Sequence, residues 1–148
     1  MTAANPFPLP DTLDHDLGRT LSAWRDLRRA GNAMPFWDDL KPAALAAKPR
    51  SLILLDVFEK PERFRFSLAD QQLVPAQEAE LSGAFIDEIP LGEEFAFLRA
   101  QASATVEART PTYYRCGSRG LSPGFVRLLL PMWGDGRIGM LLGAVDRY

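Results

Sequence analysis

The chain has one histidine, His15, and one cysteine, Cys116, and these two limit the chemistry open to it. Nucleophilic catalysis needs a base within reach of a nucleophile, so a Ser-His-Asp or Cys-His site would have to recruit His15. That residue lies between Asp14 and Asp16 on the polar side of an expected helix, where a solvated histidine is the simpler reading. Zinc sites draw on several His or Cys ligands, and one of each cannot supply a usual structural set. Carboxylates alone could hold a hard cation. The acidic pairs Asp38-Asp39, Asp87-Glu88 and Glu93-Glu94 fall at loop or helix-start positions, however, where the helix dipole already accounts for acids. Cys116 sits near the end of an expected strand and reads as a small packing residue. Arg115 or Arg119 would provide the positive charge a redox-active thiol needs. Asp56 stands inside an apolar strand, where an acid costs stability unless it is paired or exposed; a turn-side hydrogen bond or a polar contact at a cavity mouth would satisfy it.

Two glycine motifs invite a nucleotide reading. Gly134-Asp135-Gly136-Arg137-Ile138-Gly139 matches G-x-G-x-x-G letter for letter. That pattern binds dinucleotides only when it opens a helix inside a strand-helix-strand unit. Here a strand follows, and Asp135-Gly136 is a hairpin turn pair. Gly117-Ser118-Arg119-Gly120 lacks the Lys-Ser/Thr of a phosphate loop and reads as a connection between antiparallel strands. The tryptophans also have packing explanations: Trp24 and Trp133 fall on apolar faces, and Trp37 lies in a connector that could close over a cavity.

The elements that would position these groups follow from patterning. The 148 residues fit one domain, large enough to bury a core without disulfide or metal. With 47% apolar and 24% charged residues the composition is that of an ordinary soluble protein. Seventeen basic and nineteen acidic residues leave a net charge of -2, too balanced for general nucleic-acid binding. No apolar run approaches the ~20 residues that span a bilayer, and the N-terminus lacks the basic start and apolar stretch of a secretory signal. A cytoplasmic protein is expected, with no nucleic-acid or membrane partner.

Residues 1–10, with three prolines, are expected to form an extended arm ahead of a single domain over 11–148. Asp11 is a plausible cap for a helix over about 11–31, with Leu13, Leu17, Leu21, Trp24 and Leu27 as one apolar stripe about 30 Å long. A short helix is expected over Pro42 to Ala47. Ser51 to Phe58 and Arg63 to Ala69 read as strands around a tight Glu59-Lys60-Pro61-Glu62 turn. The first is apolar enough for burial on both faces; the second alternates, with Phe64, Phe66 and Leu68 on one side. Asp70 to Glu80 reads as short helical pieces, and Gly92 to Val106 as the longest helix of the middle. Thr112 to Cys116, Phe125 to Trp133 and Gly136 to Val145 complete a meander. Phe125 to Trp133 carries large apolar residues on both faces, so both need cover. The middle helices can cover one; the N-terminal helix, a second copy of the chain, or both must cover the other.

This order of elements resembles the PAS fold, and its details are similar to the small stand-alone PAS-domain proteins of alphaproteobacteria. The likeness is carried by the helix containing Trp24, Met34-Pro35, Asp39-Leu40-Lys41-Pro42, Leu54-Leu55-Asp56-Val57, Phe64-Arg65-Phe66-Ser67-Leu68, Leu81-Ser82-Gly83, and Leu128-Leu129-Leu130-Pro131-Met132 with Gly134-Asp135-Gly136. It covers about residues 20–145. The chain departs from that pattern at Ser67 and Asp70-Gln71, where a further Arg and then a Gly-Thr step are usual, and at Ser82-Gly83-Ala84, where a Thr-Gly-Arg is usual. The resemblance implies an α+β fold: a PAS-like five-stranded antiparallel sheet, helices on one face, and an N-terminal helix suited to dimerisation. It implies sensing or protein interaction rather than catalysis. Histidine-ligated haem would need a histidine in the cavity helices, and photoactive flavin a cysteine within residues 70–110; the chain has neither, so no cofactor is expected. The expected apolar ligand pocket is lined by Leu54, Phe66, Phe85, Phe95, Leu98, Leu128 and Met140. Expected partners are a second copy of the chain, a signalling protein and a small-molecule ligand. The alternatives are a small enzyme using carboxylates with Tyr113 or Tyr114, and a dimerisation module with a filled core.

Overall fold

The computed structural model describes residues 7–13, 15–26, 34–35, 51–69, 83–88, 95–117, 124–134 and 136–147. Two helices, α1 (His15–Asp26) and α2 (Leu98–Ala108), accompany five strands: β1 (Ser51–Phe58), β2 (Arg63–Ala69), β3 (Thr112–Cys116), β4 (Phe125–Gly134) and β5 (Arg137–Arg147). All five form one sheet in the order β2-β1-β5-β4-β3, with every neighbouring pair antiparallel. The hairpin β1–β2 and the meander β3–β4–β5 are joined through β1 and β5, from Ser51 opposite Val145 to Asp56 opposite Met140.

Strand β4 is buried along its whole length apart from the half-exposed Trp133. On one face Phe125, Arg127, Leu129 and Pro131 alternate toward α2, which lies against β4 and β3. On the other, Val126, Leu128, Leu130 and Met132 are buried together with Leu142 and Ala144 of β5. Among the described elements α1 lies against β5 and β4, with Leu17, Leu21 and Trp24 buried, so one chain covers both faces of its central strands. The Trp24 indole Nε1 donates to the Pro131 carbonyl at 2.9 Å.

Four details differ from the patterning. Helix α1 begins at His15, not near Asp11: Asp11 and Thr12 are exposed outside any helix, and Leu13 packs against the core from the arm. Strand β1 is dry on one face only. Ile53, Leu55 and Val57 are buried, but Leu54, Asp56 and Phe58 are half-buried, because α1 reaches β4 and β5. A β-bulge breaks the alternation of β2: Phe66 lies opposite Leu55 while Leu68 lies opposite Leu54, so Ser67 is the extra residue. Helix α2 also starts later than the Gly92 expected, since Phe97 takes a left-handed conformation (φ 58°) that interrupts the helical backbone. The short helix over 42–47, the pieces over 70–80, and Trp37 and Leu27 lie outside the described residues.

The expected hairpin joins β4 to β5: Gly134 pairs with Arg137, and Gly136 adopts φ 78°, a left-handed turn conformation, between them. Both outer strands are capped. The outer edge of β2 bonds to residues 83–86 through Gly83 N to Phe66 O, Phe66 N to Ala84 O and Ile86 N to Phe64 O. The outer edge of β3 receives the arm, with Tyr113 N donating to Phe7 O at 3.1 Å. Backbone groups engaged in this way are not open to pairing with another strand.

Candidate functional site

Strand β4 reads Phe-Val-Arg-Leu-Leu-Leu-Pro-Met-Trp, and its one charged residue is fully buried: Arg127 is 0% exposed. The alternation that buries Phe125 and Leu129 under α2 carries Arg127 to the same face. Its guanidinium is placed by the helix side of the fold. Nε donates to Gln101 Oε1 at 2.7 Å, and an NH2 group donates to the Ala96 carbonyl at 2.7 Å. The rings of Tyr114 and Phe125 flank it, 5.2 and 5.7 Å from the guanidinium carbon. Burial pushes the group down to about 10, so it remains a cation at neutral pH and depends on these acceptors.

Gln101 is the hub. Its Nε2 donates to Thr112 Oγ1 at 3.1 Å and to the Arg127 carbonyl at 3.2 Å. Thr112 Oγ1 in turn shares a 2.6 Å hydrogen bond with Thr105 Oγ1, and Thr105 Oγ1 donates to the Gln101 carbonyl one helical turn back at 2.8 Å. Gln101, Thr105, Thr112 and Arg127 are all fully buried, and their bonds run from β4 through α2 to β3. A buried polar network of this kind is costly where unsatisfied and rigid where closed. This one fixes the helix-bearing face to the sheet.

The seven expected pocket residues do not line one surface. Phe66 and Phe95 meet edge to face, with ring centroids 5.3 Å apart, and both are buried with Leu98. Leu54, Leu128 and Met140 belong to the opposite alternation. Leu54 pairs with Leu142, Leu128 with Ala144, and Met140 with Met132, all away from the side where Gly143, Ile53 and Leu129 crowd together. Phe85 sits at the β2 edge, where the Arg63 guanidinium lies 3.8 Å from its ring centroid and Phe58 is 5.4 Å away. The residues of the polar cluster are absent from that expected lining. The signal that would have found it is a lone arginine in a strand whose two faces are both dry.

The acids are arranged around arginines. Asp56 pairs across strands with Arg65, Oδ2 accepting at 3.0 Å, a cross-strand ion pair in place of the turn-side bond expected. Arg63 donates to Asp87 at 3.2 Å and to Glu88 at 2.5 Å, so this acidic pair is engaged with β2. The hydrogen bond from Arg63 holds the Asp87 carboxyl below its ordinary range. Asp87 and Glu88 lie at the β2 edge, four strand spacings or about 19 Å from β3, which carries Tyr113 and Tyr114; Asp56, on β1, is three spacings or about 14 Å away. Tyr113 and Tyr114 themselves alternate to opposite faces. Cys116 is half-buried at the end of β3, with its Sγ 3.6 Å from the Gly117 carbonyl. Among the described residues, no three His, Cys, Asp or Glu side chains gather as a metal site, and no helix is long and apolar enough to cross a membrane.

Compared with protein-family models, with curated proteins and with solved structures, the chain matches none.

Proposed function

We propose that this chain is a PAS-like, non-catalytic sensory or adaptor domain that acts in the cytoplasm by binding a small apolar ligand, a signalling protein, or both. The observation that carries the reading is the Arg127–Gln101–Ala96 clamp. It ties the segment leading into α2 to the central strand, so a displacement of that segment by a ligand must be felt by the sheet. The joined hairpin and meander, with α2 and Phe95 on one face, support the same reading. The ligand contacts then come from Phe66, Phe95 and Leu98, which share that face. A carboxylate enzyme would need acids converging with Tyr113 or Tyr114; Asp87 and Glu88 are instead engaged by Arg63 at the far edge, and Asp56 by Arg65 one strand in from it.

A second reading, a dimerisation module with a filled core, draws on the closure of the network: both Gln101 side-chain polar atoms are engaged within the protein. Native mass spectrometry of the protein purified gently from its own host separates the two. The sensor reading expects a retained small molecule or a co-purifying protein. Finding neither, with only the bare chain or its dimer, overturns it in favour of the module.

A further inference from the structure

Helix α2 begins directly after a break that its own pattern does not call for. Phe95, Leu98 and Ala102 fall on one stripe, three and four residues apart, and all three are buried. A helix running straight through residues 95–102 would keep that apolar face. Phe97 interrupts it. Its φ of 58° is left-handed, where the Cβ of an ordinary residue crowds the following carbonyl oxygen. Little burial offsets this: Phe97 is 63% exposed, with its ring 5.7 Å from that of Tyr114.

What holds the break is the carbonyl just before it. Arg127 donates to the Ala96 carbonyl at 2.7 Å. In a continuous helix that carbonyl would accept from the Ala100 N–H, four residues on. The first bond of α2, from the Gln101 N–H to the Phe97 carbonyl at 2.9 Å, is common to both arrangements. The guanidinium and the helix therefore compete for one acceptor, and Phe97 is left-handed where the guanidinium has it.

We propose that residues 95–97 are a two-state joint at the head of α2: a left-handed break while Arg127 holds the Ala96 carbonyl, and a continuation of the helix once that bond is lost. Phe95 is its trigger. Its ring packs edge to face on Phe66, one residue from that carbonyl, so a molecule wedged between the two rings draws the carbonyl off Arg127. Release swings the exposed Phe97 ring away from Tyr114 and changes the surface beside β3. The equilibrium belongs to the chain itself; only its use in sensing rests on the reading proposed above.

The test uses the full chain with nothing added. In the wild type, nuclear Overhauser spectra are expected to show the short HN–Hα distance within Phe97 that a positive φ produces, and the exposed Ala100 amide is expected to exchange freely. Glycine is at ease at positive φ, so Phe97→Gly should keep the break. Alanine favours the helix, so Phe97→Ala should slow Ala100 exchange about fivefold or more relative to Phe97→Gly, and lose the short distance. Arg127→Met, with Phe97 intact, should behave as Phe97→Ala does; protected Leu128 and Leu130 amides in β4 show that it is folded. Equal Ala100 exchange in Phe97→Ala and Phe97→Gly, or a left-handed Phe97 in folded Arg127→Met, overturns the proposal. Should Arg127→Met not fold, the Phe97 pair alone decides. A chain that retains no molecule in native mass spectrometry counts against the sensor reading and not against this equilibrium.

Discussion

Replacing Gln101 by leucine should be one of the more damaging single changes in this protein, although leucine is apolar, similar in size and a good helix former. The substitution leaves the Arg127 Nε–H, a buried charged donor, without the acceptor it meets at 2.7 Å. A hydrogen bond to a charged group is worth roughly 1.5–3 kcal/mol. The Arg127 carbonyl also loses a donor, while Thr112 Oγ1 keeps its bond to Thr105, so these losses add about 1 kcal/mol. The expected cost is about 3 kcal/mol, a large share of the roughly 5–15 kcal/mol that holds a typical domain folded. Arg127→Met should cost less, about 1 kcal/mol, because it removes the buried cation along with its bonds. The double variant should then cost about 2 kcal/mol, because the Arg127 carbonyl still loses its donor, against about 4 kcal/mol for the two single changes together, a coupling of about 2 kcal/mol. Urea unfolding followed by tryptophan fluorescence reads this directly; with a slope of about 2 kcal/mol/M, Gln101→Leu moves the midpoint down by about 1.5 M. If the two single effects add to within about 0.5 kcal/mol, or if Gln101→Leu costs less than about 1 kcal/mol, the clamp does not operate as argued.

Other consequences follow from the packing. An alanine Cβ at Gly143 would lie 2.4 Å from Ile53 Cγ1 and 3.0 Å from Leu129 Cδ2, so Gly143→Ala should destabilise by about 1–3 kcal/mol, and Ile53→Ala in the same chain should relieve part of that loss; thermal denaturation of the single and double variants checks it. Trp24→Phe deletes the donor to the Pro131 carbonyl and should cost about 1 kcal/mol in the same unfolding assay, with an unchanged cost on any substitution at the β2 edge. Because Asp87 is held below its ordinary 3.8 by Arg63, its contribution is present above that value and fades as the pH falls through the lowered one. The stability difference between the wild type and Arg63→Ala should accordingly be flat from pH 7 to pH 5 and shrink in acid below 3.8. A difference that grows on acidification would reverse the assignment.

Much of the architecture could be read from local pattern. The strands over 51–58, 63–69 and 112–116 have the bounds their alternation suggested, and β4 and β5 differ from expectation by a residue or two at their ends. Antiparallel pairing followed from the short turn at 59–62 and from Gly136, where a positive φ is needed. The demand for cover on both faces of Phe125 to Trp133 was equally legible, since large apolar residues occupy both alternations. What supplies the cover was not. Three solutions satisfy the same composition, and α1 against β5 and β4 supplies cover from within the chain.

The pocket list shows where local reading stops. Hydrophobicity says that a residue is buried, but the face it occupies depends on register. One bulge opposite Leu54 and Leu55 separates Phe66 from Leu68, and the pairing of β4 with β5 sends Leu128 and Met140 away from Phe66. The helix starts were misplaced for a related reason. A periodic stripe continues through Leu13 and back to Gly92, whereas the arm and the left-handed Phe97 follow contacts made with β3.

Composition and period-two patterning along the chain were sufficient to specify strands, turns and a dry central strand, because those depend on neighbours close in sequence. Arg127 was visible there only as an anomaly. Its partners are Gln101, 26 residues away, and the Ala96 carbonyl, 31 residues away. Whether a buried cation is a defect or a clamp depends on which acceptors the fold brings within hydrogen-bonding distance, and that is a property of strand order and helix placement.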